Sequence, residues 1–252
     1  MKRVCLLGCG RLGHIIADAL LEGAVSGAEL TAVCTRSPEK AHQLAMQLHR
    51  PVVTSVEALM AYRPDYVIEA ATTYTVKACA AQILSGGADL IVLSTSAMGD
   101  PQFLRKMEQL AEKTDRHIYL AHGVISGLDV VEAAAMMGTV SATLTKRKFP
   151  VGSRHSDAAL DSLADYFSGT AEDALRLYPN LLNVGVSLGL AMDDLAAAQV
   201  RVEPCNCVDF TVTCVGEFGT GNFHTELGPA GPALAAWSTL VMLKRLTRRI
   251  TF

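Results

Sequence analysis

Six residues near the start of the chain, Gly8-Cys9-Gly10-Arg11-Leu12-Gly13, have the types and spacing to cradle a diphosphate. They follow the apolar run Val4-Cys5-Leu6-Leu7 and lead into a segment with helical spacing over 14–22. G-x-G-x-x-G after a buried strand and opening a helix is a dinucleotide fingerprint. Elsewhere, in a chain with 20 glycines, the same spacing would mean only a turn. Gly8 permits the tight turn, Gly10 lets backbone close on a pyrophosphate because no Cβ intervenes, and Gly13 lets the helix sit against the strand. Arg11, Leu12 and Gly13 then open a helix whose first N–H groups and positive dipole end suit phosphate.

The unit continues with Ala17, Leu20, Leu21 and Val25 at helical spacing, Gly27 as a stop, and a second strand over 29–34. An acid about 20 residues beyond the glycines would bind the ribose 2′-hydroxyl and select NAD. Thr35 stands there instead, followed by Arg36 and Ser37, with Lys40 nearby. With no carboxylate to repel a 2′-phosphate, and a guanidinium fork, a hydroxyl and an ammonium to bind it, NADP is expected in preference to NAD. An Arg36 that only stacks on adenine would be compatible with NAD.

The elements that must position these groups alternate. Short strands are expected at 52–53, 66–71, 89–94 and 118–121, with helices over 55–62, 76–85 and 101–113 between them. Six strands with intervening helices predict an α/β fold, a Rossmann-type doubly wound parallel sheet. Ligands bind past the carboxyl ends of such strands. Ala70, Ala71 and Thr72, then Ser94, Thr95 and Ser96, then His122 and Gly123 occupy those places. The second half reads as an α+β substrate and dimerisation domain. An Ala/Met-rich helix follows Asp129, strands are expected over 141–148, 199–203, 211–215 and 221–227, and helices over 157–166, 171–177 and 180–190. The expected division is 1–122 for the dinucleotide domain, 123–232 for the second domain, and 233–252 for a C-terminal helix, with Trp237, returning to the first.

Composition suits a small-molecule enzyme. A net charge of -3 gives no electrostatic reason to expect nucleic acid. No apolar run approaches the roughly 20 residues that span a bilayer, so no membrane partner is expected. Hydrophobic residues make up 50% of the 252, and a mean hydropathy of +0.27 points to a subunit interface, hence a homodimer or larger homo-oligomer. Lys2-Arg3 runs into the glycine turn without a signal-peptide pattern, and seven cysteines are an odd number, so reduced thiols in the cytoplasm are expected. Cys205-Asn206-Cys207 lacks a second ligand pair at zinc spacing, so no metal is expected.

Several further segments fall in one order along the chain: Val67-Ile68-Glu69-Ala70-Ala71, Ser94-Thr95-Ser96-Ala97-Met98-Gly99-Asp100, and Gly123-Val124-Ile125-Ser126-Gly127-Leu128-Asp129. Lys146-Arg147-Lys148-Phe149-Pro150 and Tyr178-Pro179-Asn180-Leu181-Leu182-Asn183-Val184 continue it. In these motifs, over nearly its full length, the chain resembles the L-aspartate dehydrogenases, which are similar in design to dihydrodipicolinate reductase and homoserine dehydrogenase. The resemblance implies NAD(P)-linked interconversion of an L-amino acid with its 2-oxo acid and ammonia through an imine. It implies Asn183 as a pocket residue with a catalytic part, and Gly123, Ser126, Asp129 and Lys148 as substrate-binding residues. On a strand, Lys146 and Lys148 share one face and Arg147 the other. They either present ammonium groups to a dicarboxylate or are simply solvated.

The chain departs from the family at one motif. Members carry an acidic-Pro pair followed by Asn-x-His, the presumed acid/base. Glu203-Pro204 matches the pair, but Val208 and Phe210 stand where the Asn and His belong, and no histidine occurs from 199 to 222. The Asn-Pro-Lys-Thr motif is also missing around Gly231-Pro232-Ala233. His122 is the expected replacement for proton handling, since imidazole titrates near neutral pH. A His122 that only hydrogen-bonds coenzyme or backbone is the alternative, and His224 is a second candidate. Two other functions stay open: a dinucleotide-binding sensor or partner protein without turnover, and a reductase of a cyclic imine or a 2-oxo acid.

Overall fold

Apolar runs alternate with amphipathic segments through the first half of the chain, and the computed structural model, which describes residues 1–152, 166–179 and 183–251, turns each run into a strand. β1 (Lys2–Leu7), α1 (Arg11–Leu21), β2 (Ala28–Cys34), α2 (Pro38–Leu48), β3 (Val52–Val53) and α3 (Val56–Met60) come first. They are followed by β4 (Tyr66–Glu69), α4 (Thr73–Ser85), β5 (Asp89–Val92), α5 (Pro101–Thr114) and β6 (Ile118–Leu120). The strands form one parallel sheet in the order β3-β2-β1-β4-β5-β6, the doubly wound pattern in which sequence order reverses beside β1. Strands covered on both faces need apolar residues at every position rather than every second one. Val4, Cys5, Leu6, Val67, Ile68 and Ile91 are accordingly all buried.

The chain divides into two units, Met1–Gly123 with Ala233–Phe252 and Val124–Pro232. In the first unit the C-terminal helix Leu234–Thr247 places Ala236, Leu240 and Leu243 in the same apolar cluster as Leu6, Ile16, Leu20 and Ile68. Gly123 N–H donates to Ser238 Oγ at 3.1 Å, which ties the end of the β6 segment to that helix.

The second unit contains α6 (Leu128–Met137), β7 (Ser141–Lys148), β8 (Phe167–Thr170), α7 (Ala171–Leu177) and α8 (Asn183–Ala191). β9 (Gln199–Pro204), β10 (Asp209–Gly216) and β11 (Gly219–Glu226) complete it. Its sheet runs β11-β10-β7-β9-β8, with β7 and β9 parallel and the other neighbours antiparallel. Along β7 burial alternates strictly, with Ala142, Leu144, Lys146 and Lys148 on the buried face. Ala142 and Leu144 meet Val200, Val202, Val212 and Leu188 in one core. The helix expected over 157–166, apart from its last residue Tyr166, and the first residues of the one expected over 180–190 lie outside the described residues.

α5 shows how the first unit sets its helix starts. Asp100 Oδ1 accepts from the N–H groups of Gln102 at 3.0 Å and Phe103 at 3.2 Å, and Oδ2 accepts from Lys77 Nζ at 2.8 Å. The Lys77 hydrogen bond, then the Phe103 N–H, hold its carboxyl below the usual aspartate range. A carboxylate depressed in the folded state contributes stability above its unfolded pKa and loses it as pH falls through the folded value. Asp100→Ala should therefore cost about 1 kcal/mol at pH 7, and urea melts should show the gap from wild type closing once pH drops below about 4.

Candidate functional site

The parallel register lines up the carboxyl ends of the first unit's strands. Leu7 pairs with both Cys34 and Glu69, Glu69 pairs with Val92, and Val92 pairs with Leu120. Gly8, Thr35, Arg36, Ala70, Ala71, Ser94 and His122 all follow within two residues of that row. Residues more than 100 positions apart are thus carried to one edge of one sheet, the edge where α/β folds bind ligands.

The three glycines have different surroundings. Gly8 has φ +96°, and a Cβ there would lie 2.7 Å from the Ala70 carbonyl oxygen and 2.7 Å from Ala71 Cβ. A Cβ on Gly13 would lie 2.5 Å from the Gly8 carbonyl oxygen. These two glycines let β1, β4 and α1 approach one another. Gly10 differs: nothing lies within 4 Å of where its Cβ would be, and its extended backbone, φ -82° and ψ -161°, suits any residue. It is also the N-cap of α1, which begins with no side-chain cap and no acid in its first turn. An uncapped helix start beside open space, lined by backbone, fits a diphosphate.

Glu69 holds the neighbouring strand ends in place. It is fully buried, and its carboxylate accepts from Ala71 N–H at 2.7 Å, Leu93 N–H at 3.2 Å, Ser94 N–H at 3.0 Å and the Ser94 hydroxyl at 2.9 Å. Burial pushes its pKa up, and the N–H and hydroxyl donors oppose that shift. Sequence reasoning missed this role, although an acid closing the apolar strand Tyr66-Val67-Ile68 was the available signal. The consequence for the expected coenzyme residues is a sorting. Ser94, Thr95 and Ser96 have buried side chains, whereas Ala71 and Thr72 are exposed. Thr72 Oγ1 caps α4 by accepting from Thr75 N–H at 3.2 Å.

At the end of β2, Arg36 is exposed, Thr35 N–H donates to the Val53 carbonyl at 3.0 Å, and Ser37 Oγ caps α2 by accepting from Lys40 N–H at 3.3 Å. The Ser37 hydroxyl keeps its proton for donation. Ser37-Pro38 is a helix-start pair, and it produces α2, a helix absent from the sequence reading. His122 is half-buried with Nδ1 out of solvent, two residues past Leu120.

In the second unit Lys146 and Lys148 are 4% and 3% exposed, so simple solvation is not their state. Lys146 Nζ lies 5.8 Å from the centroid of Phe210, its cross-strand neighbour on β10. Arg147, on the opposite face, binds Asp209 through Nε at 3.0 Å and its terminal nitrogen at 2.9 Å. Asn183 opens the described part of α8, with its carbonyl accepting from Ser187 Oγ at 3.1 Å. Ser126 Oγ is 3.3 Å from Thr225 Oγ1, and Asp129 is exposed in the first turn of α6. Gly127, with φ +81°, starts that helix where any Cβ would overlap the Phe223 ring. His224, the second histidine candidate, is exposed. Its Nδ1 meets Thr211 Oγ1 at 2.9 Å on the exposed face of β10 and β11, away from Lys146 and Phe210.

Comparison with known proteins places both halves. A family model described as homoserine dehydrogenase, NAD binding domain, matches residues 8–121, and one described as aspartate dehydrogenase, C-terminal, matches residues 129–246. The chain is 31% identical over 258 residues to L-aspartate dehydrogenase of Methanothermobacter thermautotrophicus, covering 99% of this chain and 98% of that one. The enzyme of the same name from Methanococcus maripaludis strain C5 is 29% identical over 263 residues, with the same coverage. Among solved structures, aspartate dehydrogenase from Thermotoga maritima shares the fold with a TM-score of 0.79 at 21% identity, covering 100% of this chain and 99% of that one. A scyllo-inositol dehydrogenase from Lactobacillus casei with bound NAD(H) shares it at 0.62 and 11% identity, covering 98% and 89%.

The unequal glycines separate support of the fold from binding. Gly13→Ala should destabilise by about 1–3 kcal/mol in denaturant melts, since backbone must shift. Gly10→Ala should leave the melt within about 0.5 kcal/mol of wild type yet weaken NAD(P)H binding at least tenfold, roughly 1.4 kcal/mol, by fluorescence titration.

Proposed function

The chain belongs to the L-aspartate dehydrogenase family, and from that footing we propose an NAD(P)-dependent oxidoreductase that interconverts aspartate, or a closely related amino dicarboxylate, with its 2-oxo acid and ammonia. The observation that carries the substrate class is the pair of buried lysines, Lys146 and Lys148, on one face of β7. Lysine ammonium groups can bind carboxylates, and charge-assisted hydrogen bonds to carboxylate are stronger than neutral ones.

The chain's residues divide the work. Gly8, Gly10 and Gly13 with the first turn of α1 take the diphosphate. Thr35, Arg36 and Ser37 take the adenosine ribose and favour NADP, because no acid stands at the end of β2 to repel a 2′-phosphate. Ala70, Ala71 and Thr72, supported from behind by Ser94, Thr95 and Ser96, line the path onward. A nicotinamide coenzyme held by these residues would supply or take the hydride. Lys148 holds a substrate carboxylate, with Asn183, Gly123, Ser126 and Asp129 completing substrate recognition. His122 exchanges the proton at the amino or carbonyl end. Exposed Met136, Met137 and Trp237 support a homodimer, and the reduced thiols read from sequence fit the cytoplasm.

Coenzyme oxidation followed at 340 nm tests the reading. NADPH should be consumed with oxaloacetate only when ammonium is present, and faster than NADH at low concentration. Consumption without ammonium would replace it with a 2-oxo acid reductase, and coenzyme binding without turnover on any 2-oxo acid would make the protein a sensor. His122→Ala should lower kcat by at least about 100-fold if the imidazole is the acid/base; a kcat within a few-fold of wild type would leave it a hydrogen-bonding role. Arg36→Ala should raise the KM for NADPH by on the order of tenfold and that for NADH far less.

A further inference from the structure

The loop joining β9 to β10 gathers two thiols, a buried carboxylate and a guanidinium that substrate turnover does not use. Cys205 Sγ and Cys207 Sγ lie 2.6 Å apart. The Cys207 thiol donates to Asp209 Oδ2 at 3.2 Å. Asp209 is 1% exposed, and Arg147 holds both of its oxygens. The loop is anchored at its start, where Cys205 N–H donates to the Lys148 carbonyl at 2.7 Å. Asn206 between the thiols is exposed, and both cysteines are half-buried, so a small reagent reaches them.

Non-bonded heavy atoms settle about 3.5–4.0 Å apart, and a disulfide bond measures about 2.05 Å. These sulfurs are already well inside the first distance, held by strands on either side. We propose that Cys205 and Cys207 form a reversible dithiol–disulfide couple, a modification site for small-molecule disulfides, with Asp209 as the base that closes it. This goes beyond the dehydrogenase reading and does not depend on it.

The order of events follows from the neighbours. The Cys207 proton is engaged by Asp209 Oδ2, and the Cys205 sulfur and then Asp209 push that thiol up, so Cys205 is taken as the attacking sulfur. The Cys205 thiolate, having released its proton to solvent, attacks one sulfur of RSSR, forms Cys205–S–S–R and expels RS⁻. Cys207 Sγ then attacks Cys205 Sγ, its proton passes to Asp209 Oδ2, and the second RS⁻ leaves. The two released protons end on the two thiolates. The protein is oxidised by two electrons with loss of two hydrogens, and RSSR is reduced to two RSH. Closure removes the thiol donor from Asp209 and fixes the loop that holds the end of β7 at Lys148.

The test is to treat the native full-length protein with oxidised glutathione, alkylate the remaining thiols, digest it and map the peptides by mass. Wild type should show two fewer alkylated thiols than its seven cysteines, with the Cys205–Cys207 peptide lighter by two hydrogens and restored by dithiothreitol. Cys207→Ser should accumulate a glutathione adduct on Cys205, and Cys205→Ser should leave Cys207 unmodified. A wild-type protein that keeps both thiols, holds a lasting glutathione adduct on either, or joins a different cysteine pair would overturn the proposal. None of these readouts involves turnover, so failure here leaves the dehydrogenase reading standing, and failure there leaves this one.

Discussion

The first unit depends on a contact that leaves no room for a side chain. At Gly8 the backbone leaving β1 comes so near Ala70 that a Cβ would sit 2.7 Å from a carbonyl oxygen, and at Gly13 the helix comes as near Gly8 itself. Two missing Cβ atoms therefore decide where α1 begins and at what height it stands over the sheet. The other helices of this edge start differently. α2, α4 and α5 are capped by Ser37, Thr72 and Asp100, which satisfy N–H groups that would otherwise lack partners. α1 begins at Gly10 without a side-chain cap. The N–H groups a cap would have occupied are left to water or a ligand, and this is the one of the four helix starts that lies at the glycine turn.

Glu69 extends that constraint across the sheet. Its carboxylate stands in the same row as Leu7 and Val92, and it joins the backbone after β4 to the backbone after β5. Burying a carboxylate is costly unless donors surround it, and here three N–H groups and a hydroxyl do. The result is a stiff floor under Ala70, Ala71 and Thr72. Those residues can be small because Glu69 keeps their backbone in place.

Much of this was legible in the chain. The glycine turn, the six parallel strands and the shared face of Lys146 and Lys148 all follow from spacing, since periods of 3.6 and 2 are local properties. What escaped depends on partners far along the chain. Glu69 looks like an ordinary strand end until register puts Leu93 and Ser94 beside it. α2 starts within residues whose chemistry pointed to ribose recognition, and Ser37 serves as its cap. β8 is four residues long and contains Ser168 and Gly169, which carry little strand signal. His224 and Phe210 are both strand residues of one hairpin, and only their register with Thr211 and Lys146 shows that they face opposite sides.

That last distinction bears on where protons are handled. The position at which the family resemblance expects an imidazole holds Phe210, and the buried Lys146 Nζ lies 5.8 Å from its ring centroid. A phenyl ring exchanges no proton. Its π face is an attractive partner for the Lys146 side chain across the strand pair, nothing more. In the proposed reaction, binding of the anionic substrate therefore falls to Lys146 and Lys148 of β7, and proton transfer to His122, a half-buried imidazole at the row of strand ends.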